Sequence, residues 1–269
     1  MLDILQYPFF WRALIGVLLI SVAAAMIGTY IISRRMVAIS GGITHACFGG
    51  LGLGYFLGVS PVLMAAGFAV VSSVGVEWMS TRWRVREDSA IAVIWAVGMA
   101  VGVLFMFLTP GYVPELNSFL FGNVLTITTS DIIAFAVFTV VLIAFFAIFF
   151  RHIVACAFDR DFAKVMGLPV RLVNYTMTVL VAVCIVLTIR LVGVMLLMSM
   201  MSLPMMSAEL WCRRFKTMMF ASVAISMFCS VGGLLVATFV DVPCSALIVI
   251  IMVALYAIMK ALTTLKIRK

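Results

Sequence analysis

Few side chains in this sequence could do chemistry. Its 269 residues include two histidines and six cysteines. The cysteines stand singly at 47, 156, 184, 212, 229 and 244, with no C-x-x-C pair, so neither a disulfide framework nor a zinc ribbon is expected. His45 stands out by its surroundings. At about 100° per residue, a helix through it sets Gly41, Gly42, Gly49 and Gly52 on the histidine's own face and Gly50, Gly54 and Gly58 on the opposite one. The second set is a doubled small-xxx-small stripe, which lets another helix approach closely. The first set leaves an imidazole projecting from nearly bare backbone. That arrangement suits a cation path or close contact with a second copy, and a histidine satisfied inside a core is the plain alternative. Cys47 lies about 200° around the helix and cannot share a metal with His45. Met195, Met198, Met200, Met201, Met205 and Met206 form a cluster that would suit Cu(I). With 20 methionines spread along the chain, adaptable packing between helices is the commoner role.

Other chemistry is absent. The chain has no Gly-Lys dipeptide and hence no G-x-x-x-x-G-K-[ST] loop for ATP, no H-E-x-x-H and no G-x-S-x-G. Two histidines exclude a multi-histidine catalytic metal centre within one chain. The sequence reads as a transport component and not an enzyme.

The elements that hold these residues follow from composition. Apolar residues make up 66% and charged residues 10%, against roughly 45–50% and 25% in soluble domains. A cytosolic enzyme, a secreted domain and a disordered chain are therefore excluded, since no water-soluble fold of this size hides so much apolar surface. An all-α, polytopic membrane protein remains, a single transmembrane domain over 1–269 embedded in the lipid bilayer. Apolar blocks run approximately over Phe9–Ser33, Thr44–Gly58, Pro61–Ser80, Ser89–Leu108, Asp131–Phe150, Leu172–Thr188, Leu191–Ala208, Met218–Val240 and Cys244–Leu262. About twenty such residues span a bilayer, giving eight or nine crossings, with the short, glycine-rich second block the least secure. The sixth and seventh blocks together would make a helix of about 55 Å, too long for a ~30 Å core, so a break is expected near Arg190–Gly193. The first block is too long for a signal peptide, and no cleaved leader is expected.

A net charge of +8 would suggest nucleic acid in a soluble protein; here it reads as topology. With nine crossings and the N-terminus outside, all basic residues but Arg12 and Arg190 fall on the cytoplasmic side, as the positive-inside bias requires. No nucleic-acid partner is expected. The outer stretch Thr109–Ser130 includes a run, Phe119–Leu125, too brief to span. The inner stretch Arg151–Arg171 contains a short, well-bounded helix. Asp159 can cap it, Asp161 favours the positive end of its dipole, Gly167 can end it left-handed, and Pro169 blocks continuation. Phe158, Phe162, Val165 and Met166 fall on one side. Such a helix either docks onto a partner or lies on the lipid surface. Among ionisable residues near the spans, Glu77 is expected to snorkel toward or pair with Arg82, Arg84 and Arg86, and Asp131 and Asp241 to cap the helices that follow them.

At these residues the sequence resembles the permease subunits of bacterial zinc/manganese ABC importers. The resemblance begins with Arg34-Arg35-Met36-Val37-Ala38-Ile39-Ser40-Gly41-Gly42-Ile43-Thr44-His45-Ala46 and continues with Leu120-Phe121-Gly122-Asn123-Val124-Leu125. Phe158-Asp159, Phe162-Ala163 and Gly167 follow, then Val192-Gly193-Val194-Met195-Leu196-Leu197, Leu203-Pro204 and Ala208, and Asp241-Val242-Pro243. It implies a homodimer in the bacterial cytoplasmic (inner) membrane. A pair of separate cytoplasmic ATP-binding subunits would drive it through the 151–171 loop, with Phe158, Asp159, Asp161, Phe162, Ala163 and Gly167 as the coupling residues. An extracytoplasmic solute-binding protein would deliver the cargo. That cargo would be zinc, or manganese or iron, passing His45 along a path lined by Gly41, Gly49 and Gly52, with no permanently bound cofactor. The family's carboxylate four residues before the histidine is Gly41 here, which removes a hard oxygen ligand and shifts preference away from Mn²⁺. The competing readings are an ion-coupled metal carrier or channel working without an ATPase, and an ABC importer of a metal chelate.

Overall fold

The computed structural model describes residues 8–110, 122, 127–240 and 242–267. Among them all regular structure is helical: α1 Pro8–Ser33, α2 Ala38–Leu57, α3 Pro61–Arg82, α4 Glu87–Leu108, α5 Thr129–Phe158, α6 Arg160–Val165, α7 Val170–Glu209, α8 Phe215–Val240 and α9 Cys244–Ile267. Eight stretches are long and apolar enough to cross a bilayer: α1, α3, α4, α5, the two halves of α7, α8 and most of α9. The chain is a multi-pass membrane protein of the all-α class. Two helices lie outside that set, the six-residue α6 and the glycine-rich α2. The latter is the longer. It starts at Ala38, earlier than the apolar block. In its polar first turns the hydroxyls are satisfied within the helix, Ser40 Oγ donating to the Val37 carbonyl (2.9 Å) and Thr44 Oγ1 to the Ser40 carbonyl (2.5 Å).

Two helices depart from regular geometry where their lengths demand it. As one straight rod, the 40 residues of α7 would measure about 60 Å. The helix breaks at Gly193, with φ 79° and ψ 173°, inside the expected Arg190–Gly193 window. That backbone region is open essentially to glycine alone. Gly122 (φ +57°) sits directly on the break, so close that a Cβ there would collide with the backbone of Val192 and Gly193. The rest of the 119–125 run, and Asp241 with its expected cap, lie outside the described residues.

In α5 the helix does not stop where the apolar run meets Arg151. It continues to Phe158 through a non-helical Phe149 (φ −102°, ψ 15°). Ile153, Cys156 and Ala157 are buried, so an apolar stripe persists and keeps the chain helical. The inner loop expected over 151–171 shrinks to residues 159–169. At the other end of α5, Asp131 Oδ2 accepts from the Thr128 amide (3.1 Å) and the Asp131 amide donates to Thr128 Oγ1 (3.3 Å), a reciprocal cap.

The chain divides into two compact units, each gathered from separate segments: Met1–Ile32, Asn117–Ile148 and Thr188–Lys269 form one, Ser33–Leu116 and Phe149–Leu187 the other. In the first, Gly28 of α1 lies against the backbone of Met201 in α7, leaving no room for a Cβ. Ser21 of α1 shares a hydrogen bond with Ser230 of α8 (3.1 Å), and Gly233 of α8 lies against Ile248 of α9. In the second unit α2 packs between α3 and α4. Gly50 and Gly54 face α3, where a Cβ would stand 2.6 Å from the Cα atoms of Ala65 and Pro61 respectively. Gly42 and Gly52 face α4, Gly49 lies between the Phe68 ring of α3 and Gly98 of α4, and Gly98 and Gly102 reciprocate against Ala46 and Phe48. Backbones approach this closely only where side chains are missing, which is how small residues bind helices in a membrane.

Candidate functional site

The second unit holds both groups of residues that the sequence singles out. His45 lies on α2, its ring stacked on Trp95 of α4 with centroids 4.6 Å apart and an interplanar angle of 2°, and on Phe48 at 6.0 Å and 24°. The α2–α4 seam brings the two rings together, because glycines on either side let the helices close. His45 is half-buried, and its Nδ1 is buried without a hydrogen-bond partner. A neutral imidazole has one lone-pair nitrogen, the other carrying the proton. Among the described residues no three of His, Cys, Asp or Glu gather into a metal centre, and His45 belongs to no such group.

Of the glycines expected beside it, Gly41 is buried in α2, Gly52 lies in the α4 seam, and Gly49 lies between the Phe68 ring of α3 and α4. A Cβ at Gly49 would be 3.0 Å from the Gly98 carbonyl oxygen, and one at Gly52 would be 2.9 Å from the Gly102 Cα. Their smallness is accounted for by helix packing. Gly50 and Gly54 form the α3 seam, as the opposite-face stripe anticipates. Gly58 does not join them. It ends α2 in the left-handed conformation (φ 67°), donating to the Tyr55 carbonyl (3.3 Å), and no atom lies within 4 Å of its virtual Cβ.

The second group is α6. Six residues cannot hold a helix by themselves, and this one is bounded at both ends. Asp159 Oδ1 accepts from the amides of Asp161 (3.0 Å) and Phe162 (2.9 Å). The Lys164 ammonium bonds Asp161 Oδ1 at 2.9 Å. Gly167 (φ +72°) closes the turn, its amide bonded to the Lys164 carbonyl and that of Leu168 to the Ala163 carbonyl. Ala163 is fully buried and faces the protein. Phe158, Phe162, Val165 and Met166 turn away from it at 61, 57, 86 and 63% exposure. The capped turn and its flanking residues thus present four large apolar side chains outward.

Sequence reasoning missed what lies beneath. Glu77 is 3% exposed, and its charge is met not by the nearby Arg82–Arg86 run but by Arg34 (3.7 Å) and Arg160 (4.0 Å). Asn174 Nδ2 donates to its Oε1 (3.3 Å). Glu87 Oε1 accepts from Arg34 (2.9 Å) and is also paired with Arg160. Two guanidiniums and two carboxylates alternate in a closed ring. An acid inside an apolar block was a signal for it, but its partners stand far along the chain, Asn174 being 97 residues from Glu77.

Comparison with known proteins places this geometry. The sequence profile of the ABC 3 transport family matches residues 6–263. The probable metal transport system membrane protein of Chlamydia pneumoniae is 34% identical over 238 residues, covering 86% of this chain and 81% of its own. The manganese transport system membrane protein MntC of Halalkalibacterium halodurans is 27% identical over 259 residues, covering 95% and 88%. Among solved structures, PsaBC from Streptococcus pneumoniae in complex with Fab superposes with a TM-score of 0.82 at 26% identity, over 96% of this chain and 93% of that one.

Proposed function

Since the chain belongs to the ABC 3 transport family, we propose that it is the membrane-spanning subunit of an ATP-driven importer of a divalent transition metal, zinc by preference. One observation supports this most: α6 and the residues flanking it expose Phe158, Phe162, Val165 and Met166 around a capped, anchored turn, in a chain without a P-loop sequence. An apolar cluster at a polar boundary is a surface for a partner. In this reading a pair of cytoplasmic ATP-binding subunits grips α6, and their closure on ATP displaces it. The spans then alternate between outward- and inward-facing arrangements. A solute-binding protein outside supplies the metal, and two copies of this chain form the dimer.

His45 offers an imidazole nitrogen to the passing ion. Imidazole suits Zn²⁺, and the missing oxygen at Gly41 disfavours the harder Mn²⁺. The manganese in a relative's name belongs to that relative. The experiment is a variant series in the assembled complex. Asp159→Lys and Gly167→Trp are expected to abolish co-purification of the ATPase and stop uptake while the permease still folds. His45→Ala is expected to lower zinc uptake with assembly intact. Normal co-purification and uptake in the first two would remove α6 from the mechanism, and unchanged uptake in the third would remove His45.

A further inference from the structure

Resting on the importer reading, we propose that the Arg34–Glu87–Arg160–Glu77 ring is the joint that carries the displacement of α6 into the bundle, with Arg160 as its positioning residue. Arg160 is the first residue of α6. Its guanidinium reaches inward to Glu87 at the start of α4 and toward Glu77 in α3. Arg34, buried to 2% side-chain exposure, meets the same two carboxylates from the turn before α2, the helix that bears His45. The ring thus draws a group from each of α3, α4, α6 and, through Asn174, α7, and Arg34 ties it to the turn that leads into α2.

Apolar contact alone would let so short a helix slide. A buried ion pair resists separation, because removing one partner strands the other's charge in a low-dielectric interior. The two sides of the ring are unequal. Glu87 Oε1 accepts a hydrogen bond from Arg34 and is ion-paired with Arg160, whereas the buried Glu77 Oε2 makes no hydrogen bond and faces the two arginines at 3.7 and 4.0 Å; Arg160 Nη2 makes no hydrogen bond either. Arg160 therefore has a second carboxylate within reach when α6 is pushed. A shift of α6 that trades one carboxylate for the other moves α3 against α4, and α2 lies between them. Two discrete arrangements of one element are what coupling between distant sites requires.

The test uses the full complex of permease and ATPase in proteoliposomes, with zinc supplied by the solute-binding protein, and reads zinc moved per ATP hydrolysed. Arg160→Gln and Glu87→Gln are each expected to lower that ratio about tenfold. The double variant should lower it no further, because residues that act as a unit do not add. Arg160→Lys, keeping charge but losing the planar fork that spans two carboxylates, should fall between. Ratios unchanged in the single variants, or a double variant that multiplies their losses, would overturn the proposal. If a single variant fails to assemble, the double decides alone, since it leaves Arg34 facing Glu77 with no charge unbalanced; a wild-type ratio there overturns the proposal and a low one supports it. A wild-type complex that hydrolyses ATP without moving metal overturns the importer reading and this inference with it. An active wild type with fully coupled variants overturns the inference alone.

Discussion

Replacing Gly193 by alanine tests how the long α7 is fitted to the membrane. The residue holds φ 79° and ψ 173°, a region essentially closed to any residue with a Cβ, where occupancy costs on the order of 1–3 kcal/mol. The usual gain of about 0.8–1 kcal/mol for Gly→Ala inside a helix does not apply, because Gly193 is not helical. Nor can the strain relax by straightening, since a continuous rod of about 60 Å would overrun a core of about 30 Å. Gly122 presses on the same backbone and blocks local adjustment. The expected loss shifts the folded-to-unfolded ratio by about 5- to 150-fold. The assay is denaturant unfolding in mild detergent, with Gly67→Ala and Gly232→Ala as controls. Both controls lie in regular helix with nothing within 4 Å of the virtual Cβ, so they should be neutral or stabilising by up to about 1 kcal/mol. Gly193→Ala as stable as Gly67→Ala would refute the reasoning.

Other perturbations separate the remaining parts. Asp159→Ala removes the cap of α6, worth about 1 kcal/mol, and should raise hydrogen exchange over 160–166 while α5 and α7 keep their protection; equal exchange would contradict the capping role. Arg34→Ala strands Glu77 and Glu87 beside a single arginine and should destabilise the second unit by about 3–5 kcal/mol, measured by unfolding, with Arg34→Lys much milder. Trp95→Ala removes the partner stacked on His45 at 4.6 Å and should speed modification of the imidazole by diethyl pyrocarbonate; an unchanged rate would show that the ring is not held by the stack.

The fold was largely legible because its cause is local. Twenty apolar residues make a span wherever they occur, an overlong pair of blocks must break, and glycine in the window marked the place. The cap of α6 was readable for the same reason, since Asp159, Gly167 and Pro169 act on neighbours in sequence. The α3 seam of α2 followed from helical angle alone. The α4 seam did not, because it depends on Gly98 and Gly102, which periodicity on α2 cannot reveal. Gly58 was misassigned to packing because spacing cannot distinguish a packing glycine from a terminating one. The helical continuation of α5 past Arg151 was hidden because a charged residue ends an apolar run without ending a helix. The partners of Glu77 were invisible for a plainer reason: proximity in sequence favoured Arg82–Arg86, and only tertiary packing brings Arg34, Arg160 and Asn174 to it.

The central claim is that this chain moves metal only when a separate ATPase works on α6. Radioactive zinc uptake into proteoliposomes, compared for the permease alone and for the permease with its ATPase and solute-binding protein, tests it most directly. Accumulation that requires the full complex and ATP is predicted. Uptake by the permease alone, undiminished without ATP, would contradict the account and point to a carrier or channel.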